Sequence, residues 1–463
     1  LRRFHPHSRG DRLMRVTVLG LGLTGESVVR HCVARGDSVT ILEDNSNDKS
    51  DFNERVNTVT QLGATLEIAP ADSRMRAVVE NSDLVVPSPG VPEHHPALQA
   101  AFRAQVMVRS EIDLAAEESK AVIVAVTGTN GKTTVTTQIT RILIADGKHA
   151  TAAGNIGLPL LDAVGQDWEI IVAEVSSFQL AFAKTFRPKV AVILNLGADH
   201  LDWHRTFAAY AHAKAQIFSN QEPSDILVFN ADDPVVAGLA SQSPSQGISF
   251  SVNKDAARGY RVLETALGEL LVDDDGEPLV EVSNLDQQRP VDIANALAAS
   301  AAARAVGASR PAVKEALTEF RGLAHRMELV AKDEGISWYD DSKATNVHAT
   351  LAAVRGLSDV VLIAGGRNKG VDLSELRSIS NELIAVVAIG DASGEIEEVF
   401  SGLVPVTQAT TMKQAVQVAR SYAKVNATVL LSPGCASFDW YSSYAERGDD
   451  FARHVHTLIA VKS

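Results

Sequence analysis

Short runs of Val, Ile and Leu, each followed by a segment with helical spacing, constrain the fold of this chain more than any other feature. The runs include "RVTVLG", "SVTILE", "AVIVAVTG", "EIIVAEVS", "VAVILNLG", "DVVLIAGG" and "ATVLLSPG". Parallel strands that are buried on both faces give such continuous apolar runs rather than an alternation of apolar and polar residues. We therefore predict an α/β protein built on parallel sheets, with its ligands at the carboxyl ends of the strands.

The length of 463 residues exceeds what one hydrophobic core supports, so the chain predicts three domains. We place a Rossmann-like N-terminal domain at residues 1–109, with an extension at 1–13 before the first strand. A central domain with a parallel sheet like that of P-loop ATPases spans 110–321, and a Rossmann-like C-terminal domain spans 322–463. The natural start stays open between Leu1 and Met14.

Charge and composition exclude several classes of protein. The formal net charge of −14 argues against a nucleic-acid surface, because binding a polyanion needs many cations on one face. No apolar run approaches the roughly 18 residues that span a bilayer, so we expect no membrane segment. Two cysteines, Cys32 and Cys435, cannot form a disulfide framework in a chain of this size, which favours the cytoplasm.

The first glycine-rich loop follows the first predicted strand. Gly20, Gly22 and Gly25 have the G-x-G-x-x-G spacing that lets a backbone approach a pyrophosphate at a helix N-terminus. Glu43 or Asp44 follows about 20 positions later, where such folds place a ribose-binding carboxylate. Taken alone, this loop predicts an NAD-dependent oxidoreductase.

The second glycine-rich loop, "TGTNGKTT" at 127–134, argues against that prediction. Val126 stands where the full phosphate-loop pattern has its first glycine, but Gly128 and Gly131 can free backbone N–H groups for phosphates. Lys132 adds a cation, and Thr133 adds a hydroxyl for Mg²⁺. We therefore predict that this loop binds the phosphates of a nucleoside triphosphate.

Two later strand ends carry residues that suit a metal ion. Glu174 ends "EIIVAEVS", and a carboxylate is the protein ligand that phosphate-bound Mg²⁺ usually takes. Asp199 and His200 follow "VAVILNLG", where His200 could reach either a metal or a phosphate. A lone glutamate or histidine at such a place is more often a surface residue, so these predictions depend on their neighbours.

Eight motifs in order together resemble the ATP-dependent Mur ligases, and within that family the branch that adds D-glutamate. The motifs are "AVTGTNGKTT", "GNIGLP", "EVSSFQL", "NLGADHLDWH", "AHRME", "DDSKATN", "GGRNKG" and "LSPGCASFDW". The resemblance implies a cytoplasmic and monomeric ligase that uses ATP to join D-glutamate to UDP-N-acetylmuramoyl-L-alanine. The reaction implied is an acyl-phosphate mechanism in peptidoglycan precursor synthesis, which releases ADP and phosphate.

The same resemblance implies roles for particular residues. It places the catalytic groups at Lys132, His200, Lys214 and Lys343. It places ATP at Gly128, Thr129, Asn130, Gly131, Lys132, Thr133, Thr134, Asn295, Arg326 and Asp341. It places the UDP substrate at Leu23, Thr24, Glu43, Asp44, Ser88, Asn155 and His200.

The resemblance also implies an amino-acid site and two Mg²⁺ ions. D-glutamate would be received by Thr345, Lys369, Ser437 and Phe438, with Tyr444 nearby; Lys343 would serve either D-glutamate or the phosphates. Thr133 and Glu174 would hold one Mg²⁺ ion. His200 would hold the other together with Lys214, which in this family carries a carbamate.

One departure and three alternatives stay open at this point. Val291 and Asp292 stand where the family pattern usually has His-Asn, which puts the fine contacts of the nucleotide in question. The alternatives are a sister Mur ligase or folylpolyglutamate-type ligase for another amino acid, the NAD-dependent oxidoreductase, and a nucleotide-sensing protein without turnover.

Overall fold

The structure is a computed structural model that describes residues 13–44, 50–266, 268–368 and 370–460. Residues 1–12 of the predicted extension, and Lys369 of the predicted amino-acid site, lie outside the described residues. The described strands form three sheets of five, nine and six strands, and the sheets are mainly parallel. The prediction of an α/β fold with parallel sheets is therefore confirmed. The predicted divisions near 110 and 321 fall between the sheets, and as domain boundaries they stay predictions.

The first sheet has the order β3-β2-β1-β4-β5, and all its pairs are parallel. Its strands are β1 Arg15–Leu19, β2 Ser38–Glu43, β3 Thr65–Ile68, β4 Leu84–Pro87 and β5 Met107–Val108. The helices of this part are α1 Leu23–Ala34, α2 Ser50–Gln61, α3 Asp72–Glu80, α4 Pro96–Arg103 and α5 Glu111–Glu118. The first glycine loop joins β1 to α1, as its spacing predicted.

The second sheet has the order β14-β13-β12-β11-β10-β9-β6-β8-β7, in which only the β12–β13 and β13–β14 pairs are antiparallel. Its strands are β6 Val122–Thr127, β7 Ala150–Gly154, β8 Ile170–Glu174, β9 Val190–Ile193, β10 Ile226–Asn230, β11 Gln246–Ser251, β12 Tyr260–Thr265, β13 Gly268–Val272 and β14 Pro278–Glu281. The helices are α6 Lys132–Ala145, α7 Leu160–Val164, α8 Ser177–Ala181, α9 Leu201–His204, α10 Phe207–Ala215, α11 Pro234–Ala240, α12 Pro290–Ala305 and α13 Arg310–Glu319, with a 3₁₀ turn at Val282–Asn284.

The third sheet has the order β15-β16-β20-β17-β18-β19, and only its edge strand β15 runs antiparallel to its neighbour. Its strands are β15 Glu328–Asp333, β16 Ile336–Asp340, β17 Val360–Gly365, β18 Leu383–Ile389, β19 Val406–Ala409 and β20 Thr428–Gly434. The helices are α14 Val347–Val354, α15 Ser393–Phe400, α16 Met412–Tyr422 and α17 Tyr444–Ala460, with a 3₁₀ segment at Ser374–Glu382.

The apolar runs are buried as the pattern predicted, because helices cover both faces of the sheets. The Val and Ile side chains of β9 are fully buried, and on one face of the second sheet they pack with α6 and α12. The alanines of α12 between Ala296 and Ala303 are almost fully buried, and such small side chains let a helix lie close to its neighbours. No helix of the described ranges is both long and apolar enough to cross a membrane.

The segment that connects the first two sheets is held by buried carboxylates on α5. The carboxylate of Asp113 accepts hydrogen bonds from the backbone N–H groups of Lys184, Thr185 and Phe186 at 2.8–3.0 Å. Glu111 accepts one from Leu161 at 2.7 Å, and its burial raises the pKa of that carboxyl to about 7. These bonds fix α5 against the second sheet and thereby position the first sheet.

We predict that Asp113→Ala lowers the melting temperature by roughly 5 °C, because three backbone N–H groups, of which that of Phe186 is buried, lose their shared acceptor. Differential scanning calorimetry measures the shift. Glu80→Ala, at the exposed end of α3, is the matched control and should change the melting temperature by less than about 1 °C. Equal melting temperatures for the two variants would contradict this role of Asp113.

Candidate active site

The second glycine loop lies between β6 and α6, and it takes a shape that only glycine permits at one position. Gly131 has a φ of +82°, and a Cβ atom on it would lie 2.5 Å from Oδ1 of Asn295. The missing side chain therefore lets Asn295, on α12, reach the loop directly. Gly131 immediately precedes α6, so the first N–H groups of this helix point to the predicted phosphate position.

The half-buried Lys132 and the buried Lys214 meet at this loop. Lys132 Nζ donates to the carbonyl oxygens of Gly128 at 2.9 Å and Thr129 at 2.8 Å. Lys214 Nζ, from α10, donates to the same oxygen of Gly128 at 2.8 Å. The sequence separates the two lysines by more than 80 residues, and the resemblance alone had assigned Lys214 to this site.

Burial lowers the pKa of both amines. It lowers the pKa of Lys132, and the charges of Glu174 and Asp199 partly offset this effect. Burial lowers the pKa of Lys214 to well below its usual range, and the neighbouring charge of Lys132 lowers it further. The surroundings of Lys214 therefore favour the neutral form of its amine.

The predicted metal ligands of the first ion lie beside these lysines. Glu174 accepts a hydrogen bond from Asn155 Nδ2 through Oε1 at 2.8 Å. Its other oxygen, Oε2, is buried and has no hydrogen-bond partner within the described part of the chain. The Thr133 hydroxyl is the second predicted ligand, and it accepts a hydrogen bond from Arg326 Nη2 at 2.9 Å. A free carboxylate oxygen and a hydroxyl fit the preference of Mg²⁺ for hard oxygen ligands.

His200 faces the same group of charges through a strained turn. Its φ of +53° is unusual for a residue with a side chain, and its backbone N–H donates to Asp199 Oδ1 at 2.9 Å. The ring meets that of Phe178 edge-on, with 4.7 Å between centroids. Asp199 stabilises the charged forms of both Lys132 and Lys214, so this turn belongs to the lysine cluster.

Six of the ten residues predicted for ATP line one cavity between α6, α12 and the third sheet. Its walls include Asn130, Gly131, Thr134, Asn295, Arg326 and Asp341. The other four, Gly128, Thr129, Lys132 and Thr133, belong to the phosphate loop but are not among the residues that line this cavity. Burial raises the pKa of the Asp341 carboxyl to about 7, although a hydrogen bond from Ser432 at 2.8 Å and the cations Arg289 and Arg326 oppose the rise. The half-buried guanidinium of Arg326 contacts Thr133, so the part of the chain with the third sheet supplies a cation directly to the phosphate loop.

The departure at 291–292 also lies in this cavity. Asp292 forms an ion pair with Arg289, with distances of 2.7 Å to Nε and 2.9 Å to Nη2. Both residues line the cavity with Val291. The family's usual His-Asn is thus replaced by an apolar side chain and a carboxylate whose charge is offset by a neighbouring arginine.

The residues predicted for the amino acid stand on two adjacent loops of the third sheet. Strands β16 and β20 pair in parallel, so the loops after them emerge side by side. Lys343 Nζ lies 3.7 Å from the ring centroid of Tyr444, a cation–π contact. Ser437 is buried and Phe438 is 59% exposed. The Thr345 N–H donates to the Lys343 carbonyl oxygen at 2.8 Å, so the described contacts bring Lys343, Thr345 and Tyr444 together. Within the described residues they do not join Ser437 or Phe438 to this group.

Some residues predicted for the UDP substrate hold the first glycine loop itself. Glu43 Oε2 accepts from the N–H of Leu21 at 2.7 Å, and Ser88 donates to the carbonyl of Gly20 at 2.8 Å. Asp44 contacts His95 Nε2 at 3.1 Å. Leu23 is exposed and Thr24 half-buried at the start of α1, where a ligand can reach them.

Sequence reasoning missed three residues that order the phosphate loop. Asn195 forms two hydrogen bonds with the backbone of Asn130, at 2.9 and 3.1 Å. Asn346 and His348 approach Asn130 from the third sheet's side. Asn346 ends the motif "DDSKATN" and caps α14, so a helix N-cap was readable from sequence, but its contact with a loop 216 residues away was not.

Comparisons with known proteins place this geometry in a family. The description "Mur ligase middle domain" matches residues 126–303, "Mur ligase MurD-like, N-terminal domain" matches 14–110, and "Mur ligase, glutamate ligase domain" matches 325–435. The first glycine loop thus falls within a Mur ligase domain rather than indicating an oxidoreductase.

Similar proteins cover nearly the whole chain. A UDP-N-acetylmuramoylalanine--D-glutamate ligase of Syntrophotalea carbinolica is 37% identical, over 96% of this chain and 97% of that protein. One of Pelotomaculum thermopropionicum is 40% identical, over 96% and 98%. Among solved structures, the MurF ligase of Thermotoga maritima in complex with ADP aligns with a TM-score of 0.61 at 16% identity, over 100% and 99%, and shares the fold.

We predict that Gly131→Ala lowers the affinity for Mg-ATP at least tenfold, measured by isothermal titration calorimetry. The new Cβ would collide with Asn295, and alanine at this φ costs about 1–2 kcal/mol more than glycine. Gly147→Ala is the matched control at the other end of α6, because Gly147 has a φ of +75° but open space around it. Similar losses of affinity in both variants would contradict the collision.

Proposed function

The chain belongs to the Mur ligase family, and we propose that it is the ATP-dependent ligase that joins D-glutamate to UDP-N-acetylmuramoyl-L-alanine in peptidoglycan precursor synthesis. One observation carries the proposal from geometry to chemistry. The phosphate loop, the carboxylate of Glu174 and the cation Arg326 converge at the same place, and they come from two different sheets. This is the arrangement needed to activate a carboxylate with ATP and to present it to an amine.

The reaction runs in two steps. The free carboxylate of the L-alanyl group attacks the γ-phosphorus of ATP, so a C–O–P bond forms and the bond to ADP breaks. The amine of D-glutamate then attacks the acyl carbon, loses a proton, and expels phosphate as the amide forms. Two anions must meet in the first step, and Lys132 and Arg326 offset their repulsion and the charge that develops on the phosphoryl group.

The nucleotide and the amino acid take the two sides of this centre. Asn295 would contact adenine, and Asp341 the ribose, in the cavity described above. D-glutamate would lie against Lys343, Thr345, Ser437, Phe438 and Lys369, near Tyr444. Cations and hydroxyls suit its two carboxylates. The UDP substrate would extend from Leu23, Thr24, Glu43, Asp44 and Ser88 to Asn155 and His200.

Thr133 and Glu174 would hold one Mg²⁺ ion. The buried Oε2 of Glu174, which has no hydrogen-bond partner among the described residues, supports this part of the proposal. His200 would hold a second ion with Lys214, whose neutral amine can add to CO₂; an N–C bond forms, a proton leaves, and the lysine becomes an anion. When bound, the ions neutralise phosphate charge. The predicted monomeric state and cytoplasmic location stay predictions.

We predict that phosphate is released from Mg-ATP with UDP-N-acetylmuramoyl-L-alanine and D-glutamate, and not with L-glutamate, L-alanine or a diamino acid. A phosphate-release assay measures this. Phosphate release with another amino acid instead would indicate a sister ligase. No phosphate release with any of these amino acids would favour a nucleotide-sensing protein.

We predict that Lys132→Ala lowers this turnover by at least 10²- to 10³-fold, because one charge-stabilising group of the transition state is lost. Lys184→Ala removes an exposed lysine of the same domain and should leave turnover unchanged. Near-normal turnover of Lys132→Ala would rule out the role of the phosphate loop.

We predict a carbamate on Lys214. In ¹³C-bicarbonate the protein should show a carbamate carbonyl resonance that disappears in Lys214→Arg and persists in Lys184→Arg. Loss of turnover in Lys214→Arg should accompany the lost resonance. A spectrum without a carbamate resonance in the unmodified protein, at saturating bicarbonate, would contradict the second metal site.

A further inference from the structure

Asn130 of the phosphate loop is held by two parts of the chain in different ways. Its backbone is fixed by Asn195, which accepts from its N–H at 2.9 Å and donates to its carbonyl at 3.1 Å. Its side chain is approached from the C-terminal part of the chain, where Nδ2 lies 2.9 Å from His348 Nδ1 and Oδ1 lies 3.4 Å from Asn346 Nδ2. The orientation of this side chain therefore depends on the position of α14.

His348 fits its place sterically as well as through the hydrogen bond. A Cβ atom on Gly197 would lie 2.9 Å from Cγ and Cδ2 of the imidazole. Gly197 also donates its backbone N–H to Thr129 Oγ1 at 2.9 Å. The ring therefore lies over a bare stretch of backbone that is itself bonded to the phosphate loop.

The hydrogen bond defines the state of the imidazole. The Asn130 amide presents its oxygen to Asn346 and its N–H₂ group to His348, so Nδ1 of His348 must accept and the ring must be neutral. Burial lowers the pKa of His348, which favours the neutral form. The charges that act on the ring are those of Arg355, which lowers the pKa, and of Asp233, Glu375 and Asp199, which raise it.

Asn346 extends the contact to the lysine cluster. Its Nδ2 donates to Asp199 Oδ2 at 3.1 Å, and its Oδ1 caps α14 by accepting from Ala349 at 2.9 Å. Asp199 in turn accepts from the backbone of His200. The first turn of α14 thus contacts both loops of the second sheet that surround Lys132.

We propose that His348 is a positioning residue for the phosphate loop: from the C-terminal domain it orients the side chain of Asn130, so the loop is fully ordered only when that domain is closed on the central one. Lys343 and Thr345 lie on the segment that leads into α14, so the same closure carries the amino-acid side toward the phosphates. The kinetic part of the proposal rests on the proposed function; the structural part does not.

Hydrogen–deuterium exchange of the ligand-free chain tests the structural part. In His348→Ala the backbone amides of 128–131 should exchange roughly threefold to tenfold faster, which is the loss expected for one hydrogen bond. His348→Asn keeps an acceptor near the position of Nδ1 and should restore slow exchange. His456→Ala, at an exposed site on α17, is the control and should match the unmodified chain.

A double-mutant cycle separates this contact from a general loss of stability. Asn130→Ala and the combination of Asn130→Ala with His348→Ala should give the same exchange rates, because either change removes the same interaction. The KM for ATP should rise threefold to tenfold in His348→Ala, with recovery in His348→Asn, while kcat changes less.

Unchanged exchange at 128–131 in His348→Ala, or fully additive effects in the cycle, would overturn the proposal. Equal acceleration in His348→Asn and His348→Ala would also overturn it, because packing rather than the acceptor would then be responsible. These readouts need no substrate. A chain that is inactive with D-glutamate but shows the expected exchange pattern would refute the proposed function alone.

Discussion

The carbonyl oxygen of Gly128 accepts hydrogen bonds from Lys132 and from the buried Lys214, and the rest of the site is arranged around this pair of amines. Loss of hydration lowers the pKa of both amines, and the charge of Lys132 lowers the pKa of Lys214 further. Glu174 and Asp199 offset part of this lowering, and the phosphates of a nucleotide would offset more. The cluster therefore favours the binding of anions, and at Lys214 it favours the neutral form of the amine.

The topology of the second sheet explains why these groups meet. Strand β6 lies between β8 and β9, and all three run in parallel, so their carboxyl ends share one edge. The phosphate loop follows β6, Glu174 ends β8, and the turn with Asp199 and His200 follows β9. Lys214 reaches the same edge from α10. These elements thus bring Glu174, His200 and Lys214 to Lys132 across separations of 42, 68 and 82 residues.

Much of this arrangement was predictable from sequence, because a buried strand and the polar residues directly after it are local features. Gly131, Lys132 and Glu174 were found in this way. The hydrogen bond from Leu21 to Glu43 was not, since a carboxylate near a glycine loop can serve either a ligand or the loop itself. Arg289 and Asp292 are close in sequence, so their ion pair is a local feature. That this pair lines the cavity predicted for ATP depends on where α12 lies in the fold, which the sequence does not give. Lys214 needed the family resemblance, because nothing in "AHAKAQIF" distinguishes a buried lysine from an exposed one.

The contacts between the second and third sheets were beyond sequence reasoning for a different reason. Asn130 meets His348, and Thr133 meets Arg326, across separations of 218 and 193 residues, and each contact exists only if the two domains are closed. Closure brings Arg326 to the phosphate loop and encloses the cavity in which water would otherwise compete for an acyl phosphate. Arg326 and the residues proposed for the amino acid lie on the same part of the chain, that of the third sheet. The cation that would favour phosphoryl transfer therefore reaches the phosphate loop together with the surface proposed to bind the acceptor amine.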